Sequence, residues 1–530
     1  MHAPDAGSVV KISARGDFRP STIWLLFVVL LLIASIPVLT HALPPLSDYV
    51  NHLGRTYIIN HIGTDPYFAR YYNANWQLVP NLMIDLAMLV LSPFADIYRA
   101  GQIYTVTAFA LILGGTLTLH RVLFGTWSAL PLIAAPLLYN EVMLVGVMNY
   151  VFGIGLTLFA FAAWVALRDR SWPWRFAVST FAALVLFVCH LYVVGIYGLL
   201  VMAYELYRLR SDRGQTWPRR LAVFVASGLP FLLVIFLLWE SPTWTAANAY
   251  FWLFAGKLDG LIFAINVYHR PFAFTLFAIV LLAGLWAQHR KLLRFHPAGW
   301  FILVVGGLVY FAMPRALFAA HMADQRLPIA LAFVLIACLH VDFSDRRLRQ
   351  GFVALVFVVL TARVIEVQEV WNRLGRVSDA FYKSVLMIKP GSRILVVHGD
   401  RSAGDDVSDY ELVHAASIAT IERSALVSTT FTVKGKQTLS VRDQYARYVE
   451  TEDRTPPSVK YFLEAAHKDV PYFFTRWPQH FDYVYILFTK HGANPDPKDL
   501  AQMVDGPSFQ LYQVIRPNSV TATAPTTNAR

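Results

Sequence analysis

Apolar residues in this chain fall in long unbroken runs, with neither the alternation of surface strands nor the one-sided stripe of surface helices. Residues 23–39 read IWLLFVVLLLIASIPVL and residues 221–239 read LAVFVASGLPFLLVIFLLW, both free of charge. Such runs, roughly 15 to 20 residues long, suit bilayer-crossing helices, whereas barrel strands alternate over about 10 residues. The pattern predicts eleven spans, at 23–43, 102–120, 127–140, 150–167, 176–189, 192–207, 220–239, 272–288, 298–313, 327–341 and 351–367. Residues 79–93, around NLMIDLAMLVL, are expected to lie in the membrane plane or to re-enter from the outer face. After residue 370 the pattern changes. A helical stretch leads to Lys389-Pro390-Gly391, strand-like runs follow at 393–399, 481–488 and 509–515, and a helix-like stretch covers 409–423. The expected fold class is therefore an α-helical polytopic membrane protein of about 11 transmembrane helices with a C-terminal extracytoplasmic α/β domain. The expected division is a cytoplasmic segment at 1–22, a membrane domain at 23–370 with an outer loop at 44–101, an α/β domain at 371–518 and a disordered tail at 519–530.

Composition agrees with the pattern. Hydrophobic residues make up 56% of the 530 and charged residues only 15%, against about 25% in ordinary soluble proteins. Charge then orients the helices. Residues 371–530 are nearly balanced, with 19 Lys+Arg and 17 Asp+Glu, so +9 of the net charge of +11 comes from the rest of the chain, where the basic excess lies in short loops between the apolar runs. With a cytoplasmic N-terminus, 18 basic residues fall in inner loops and 7 in outer ones, as the positive-inside rule requires. That distribution speaks for an inner (plasma) membrane protein and against nucleic acid as a partner. The first span is read as retained, because His41-Ala42-Leu43 is a poor cleavage site. Cys189 and Cys338 both sit in apolar runs and cannot form a disulfide framework or a thiolate metal site. Walker-type loops, HExxH, CxxC and GxSxG motifs are absent, which leaves ATP hydrolysis, zinc proteolysis and α/β-hydrolase chemistry without support.

Ionisable residues crowd the outer ends of the spans. After Pro44-Pro45 stops the first helix, Ser47 is expected to cap a short helix on which Asp48, His52 and Arg55 are spaced i, i+4, i+7 and share a face. A carboxylate, an imidazole and a guanidinium would then meet where a lipid phosphate lies. The plain alternative is an interfacial helix with an acid near its N-terminus and a snorkelling arginine. A second cluster holds Arg315, His321, Asp324 and Arg326, and two arginines in one short outer loop point to an anion. Here the plain alternative is an Asp324–Arg326 surface pair. His190, at an outer turn, is a further substrate-binding candidate. Asp85 and Glu141 stand behind Asp48 as carboxylates.

The layout of a first span followed at once by an acidic outer loop, about eleven spans and an extracytoplasmic C-terminal domain resembles the GT-C fold glycosyltransferases. The run SDYVNHLGR (47–55) resembles the loop motif of Asp followed by His in bacterial members, and ADQRLP (323–328) resembles their Asp/Arg segment. The resemblance implies a polyprenyl-phosphate-linked sugar as donor and a glycan or lipid acceptor on the extracytoplasmic face. It implies Asp48 as general base toward the acceptor hydroxyl, with Arg326 and Arg55 on the leaving phosphate. DxD-like metal motifs are missing, so a divalent metal is left without support and no cofactor is expected, the lipid-linked donor being a substrate. Two other classes remain open on the residues alone, a lipid or solute transporter or flippase and a non-catalytic membrane scaffold. Span centres nearly free of charge favour surface chemistry over transport.

Overall fold

The computed structural model describes residues 18–400, 407–433, 435–449, 456–470 and 472–516. The tail expected at 519–530, and residues 1–17 of the N-terminal segment, lie outside the described residues. The chain is a multi-pass membrane protein. Among the described residues, eight helices are long and apolar enough to cross a bilayer. They are α1 (Pro20–Thr40), α5 (Ile97–Phe124), α7 (Met148–Ala166), α8 (Trp172–Cys189), α9 (Leu191–Ser211), the pair α10 (Trp217–Ala226) and α11 (Leu232–Glu240) acting as one, α13 (Arg270–His289) and α16 (Arg346–Val385).

The other three expected spans are occupied by shorter elements, so a count of eleven full-length spans is not reached. Residues Leu130–Leu138 form a 3-10 helix carrying Pro131 and Pro136, followed by α6 (Glu141–Val145). Proline lacks the amide that a regular helix needs. Helices α14 (Pro297–Ala312) and α15 (Ala323–Ala337) have 16 and 15 residues, about 22–24 Å against a hydrocarbon core of about 30 Å. The turn near Cys189-His190 does divide two helices, α8 and α9. In the stretch 79–93 only α4 (Met83–Leu91) is helical, at 9 residues far too short to cross. Helices α5 and α7 pack most intimately. A Cβ at Gly155 would lie 2.5 Å from Leu111 Cβ, so only glycine permits that approach.

The outer loop holds α2 (Tyr49–His61), α3 (Pro66–Tyr71) and strand β1 (Tyr72–Ala74) besides α4. Short helix α12 (Lys257–Ile262) precedes α13, and β2 (Leu293–Phe295) pairs with β3 (Leu339–Val341). Helix α16 runs 40 residues without a break, carrying the last apolar run straight into the C-terminal part. Beyond it lies a mixed five-stranded sheet. Its strands are β4 (Arg393–His398), β5 (Leu426–Val427), β7 (Tyr483–Leu487), β8 (Leu500–Asp505) and β9 (Phe509–Val514), in the order β5-β4-β7-β9-β8. Strands β4, β5 and β7 run parallel, and β9 returns antiparallel to β7. One face packs on the end of α16 through Phe381, Val385 and Ile388, and the other buries Phe462, Trp477 and Tyr512. The expected helix at 409–423 is broken into α17 (Tyr410–Val413) and α18 (Ile418–Arg423).

The two halves are interlocked. Strand β6 (Leu439–Val441) pairs with β1, Tyr72 opposite Val441. Ile58, Ile59, Phe68 and Tyr72 share a buried cluster with Leu426 and Leu439. Each such side chain contributes about 1.5–3 kcal/mol over its exposed state. Helix α2 is thereby clamped between the membrane helices and the C-terminal domain, and the candidate site begins at its N-terminus.

Candidate active site at the ends of the helices

Asp48, and not Ser47 as expected, occupies the N-cap position of α2, and its side chain makes no capping bond. The backbone instead anchors the helix start. Ser47 and Asp48 donate their amides to the carbonyls of Leu144 and Val145 at 3.3 and 2.8 Å. Gly146 makes this possible. Its φ is +83°, and a Cβ there would lie 2.8 Å from the Tyr49 nitrogen. The Asp48 carboxylate, its side chain 28% exposed, is left facing His414 Nε2 at 3.5 Å.

His52 and Arg55 do not do what their spacing suggested. His52 is buried against Phe431, and burial, then the nearby Arg55 charge, push its imidazole down to about 3. It is neutral at ordinary pH and brings no positive charge to Asp48. Arg55 is wholly buried and clasps Asp85 of α4 with both arms, Nε to Oδ1 at 3.1 Å and Nη2 to Oδ2 at 3.0 Å. With Nε and Nη2 both on the Asp85 carboxylate, the paired donors that would take two phosphate oxygens are already used and Nη1 alone is left without a partner. Breaking such a buried pair on one side costs about 3–5 kcal/mol, so the pair holds α2 onto α4.

The second cluster also sorts itself unexpectedly. Asp324 is fully buried and takes Lys257 Nζ at 2.8 Å and Arg315 Nε at 2.9 Å, so the plain alternative, a surface pair with Arg326, does not form. Arg315 further binds the Gly256 carbonyl and is thus occupied. His321 is exposed, and its carbonyl accepts from Arg326 Nη2 at 3.0 Å. Arg326 itself is buried, and among the described residues no carboxylate comes within ion-pair distance of it. Tyr192 and Tyr150 flank it, with ring centres 5.0 and 5.8 Å from the guanidinium carbon. Its Nε has no hydrogen-bond partner. Its Nη1 lies 3.2 Å from His190 Nε2, yet His190 Nδ1 also faces the Tyr192 amide at 3.2 Å. A neutral imidazole accepts at only one nitrogen, so one of these two donors goes unanswered. Arg326 is a buried cation short of acceptors, the arrangement that an anion completes. The charges of Asp48 and Arg326, 278 positions apart, are close enough to interact.

From Arg326 an apolar cavity of about 490 Å³ runs between α9, α11 and α14. Val194, Gly195, Leu199, Val234, Leu238 and Val309 line it, and Arg326 is the charged residue in its wall. Above it a loop of the C-terminal domain leans on the outer loops. Lys436 donates to the Ala319 carbonyl at 2.7 Å, and Gly435 accepts from Thr243 Oγ1 at 2.5 Å. Among the described residues no three His, Cys, Asp or Glu side chains converge as metal ligands.

No protein-family description matches the chain, and no curated protein matches it. The chain aligns over nearly its whole length with a solved structure. The crystal structure of ArnT from Cupriavidus metallidurans bound to undecaprenyl phosphate covers 93% of this chain and 98% of its own, with a TM-score of 0.50 at 14% identity. The chain has the GT-C fold.

In this GT-C fold the site includes two residues that the reading of the sequence did not single out. Lys257 is a buried partner of Asp324; a lone lysine in the apolar outer stretch 244–263 was the available signal. His414 belongs to the C-terminal domain and had none. The cavity is assembled from four separate helices, and no local pattern encodes it.

Proposed function

We propose that this GT-C protein transfers a sugar from a polyprenyl-phosphate donor to an acceptor hydroxyl at the extracytoplasmic membrane face. The observation that carries this reading is the apolar cavity ending on Arg326. It offers an isoprenoid tail a dry wall and offers the phosphate a desolvated guanidinium. The undecaprenyl phosphate bound to ArnT, a protein of this fold, supports the same lipid class. In the reaction the bond between the anomeric carbon and the phosphate oxygen breaks, and the acceptor oxygen bonds to that carbon. The acceptor proton passes to the Asp48 carboxylate, and the released polyprenyl phosphate leaves with its charge opposite Arg326. Asp48 suits the base role because it is partly exposed and is not committed to a cap, whereas Asp85 and Asp324 are locked in buried ion pairs.

The cavity gives a test independent of the catalytic residues. A Cβ on Gly195 meets open space, so a large side chain there enters the cavity without a clash in the backbone. Gly195→Trp is expected to lower the use of undecaprenyl-phosphate glucose, mannose or arabinose, whichever the wild type consumes. Donors with a two-isoprene tail should be affected little. Equal loss with both tail lengths overturns the tail assignment, and a wild type that consumes no member of the panel overturns the transferase reading.

The reading also sets the orientation, with the N-terminus cytoplasmic and the C-terminal domain outside the inner membrane. The 18 to 7 bias of basic residues, counted with the three shorter elements at 127–140, 298–313 and 327–341 also crossing, supports it. A reporter active only in the cytoplasm should be silent when fused after residue 390, and activity there overturns the topology.

A further inference from the structure

The C-terminal domain brings the imidazole of His414 to the candidate base, and the hydrogen bonds around that side chain determine where its proton sits. Asn51, one turn into α2, accepts the Phe431 amide on Oδ1 at 2.9 Å. A backbone amide can only donate, so this contact fixes the orientation of the Asn51 amide. Its Nδ2 then donates to the Thr429 carbonyl at 2.7 Å and faces His414 Nδ1 at 3.2 Å. Nδ1 must therefore be the acceptor nitrogen of the ring, and the neutral imidazole carries its hydrogen on Nε2. That nitrogen lies 3.5 Å from Asp48 Oδ1. Phe431 meets both His414 and His52 edge-on, at 5.1 and 5.3 Å, and keeps the ring in place.

We propose that His414 is a positioning residue for Asp48, its Nε2–H holding Oδ1 so that Oδ2 is turned to the acceptor hydroxyl. This rests on the base role of Asp48 proposed above. The backbone of Asp48 is already fixed by Val145 and by the helix it begins, so rotation of its side chain is the freedom left to control. The contact is longer than a formed hydrogen bond, and such bonds tighten when substrate closes a site. A carboxylate free to rotate away from its substrate is misplaced by an ångström or more, an error that reduces rates by about 10²-fold. The C-terminal domain thereby completes the site, because His414 and the Thr429 and Phe431 backbone groups that orient Asn51 all come from it.

The test uses the full-length protein in native membranes with the undecaprenyl-phosphate sugar that the wild type consumes. His414→Phe keeps a ring against Phe431 and removes the Nε2 donor. It is expected to lower kcat by roughly 10- to 100-fold with KM for the donor within about two-fold, since Arg326 and the cavity are untouched. His414→Gln carries an amide donor to where Nε2 sits and should recover most of the turnover, while the shorter His414→Asn should not. Added to Asp48→Asn, His414→Phe should cause no further loss. Wild-type turnover in His414→Phe overturns the proposal, as does equal loss in the Phe, Asn and Gln variants, which marks a purely structural residue. Wild-type turnover in Asp48→Asn overturns the base assignment itself. Loss in Asp48→Asn with none in His414→Phe overturns only the positioning role.

Discussion

Arg326→Ala is expected to reduce donor use by about 2–5 kcal/mol, the range for removing one partner of a desolvated charge pair, or roughly 30-fold to several thousand-fold in kcat/KM. The size follows from its setting. The guanidinium is buried at the end of an apolar cavity and faces two tyrosine rings. Its neighbours leave Nε without an acceptor and share His190 with a backbone amide. The Lys257 and Arg315 charges nearby are spent on Asp324, so neither stands ready to replace it. Arg326→Lys should recover only part of the loss, because an ammonium lacks the planar fork that matches two phosphate oxygens. The variant should remain folded, since Arg326 closes no ion pair among the described residues and alanine removes a charge that burial disfavours. Undiminished donor affinity and turnover in Arg326→Ala would remove the phosphate site from this position.

Asp48→Asn is expected to cut turnover by at least about 10²-fold, the contribution of a lost general base. Donor binding should be retained. The substitution preserves shape and removes basicity. Because the Asp48 side chain caps nothing and α2 is anchored through backbone bonds to Leu144 and Val145, the helix should survive intact. A drop in both turnover and folded protein would instead mark a structural acid. Normal turnover in the Asn variant of a demonstrated transferase would send the search for a base to Glu141, which accepts from Asn266 at 2.9 Å. Asp85 and Asp324 are poor substitutes, since a carboxylate held at full burial by one or two cations has no access to an acceptor.

The sequence by itself determined the class of fold, because bilayer spans and buried strands are written in contiguous residues. The run at 23–39 needs only its own composition to be a membrane helix, and β4, β7 and β9 appear where short apolar runs predicted them. It also singled out Asp48 and Arg326, since a charge at the outer end of a span needs a reason wherever it occurs. What local pattern cannot carry is the choice of partner. Asp48, His52 and Arg55 are spaced for one face, yet Arg55 is bound to Asp85, 30 positions on, and burial leaves His52 neutral. Asp324 is two residues from Arg326 but is claimed by Lys257, 67 positions earlier, and by Arg315. Each buried carboxylate takes the cation that packing brings to it, and packing is decided by helices far apart in the chain. Only the tertiary structure left Arg326 without an ion pair among the described residues, opened a cavity beside it and brought His414 to Asp48 across 366 positions. Periodicity acts over a few residues, whereas an ion pair, a cavity or a hydrogen bond forms only between groups that the whole chain has already brought together.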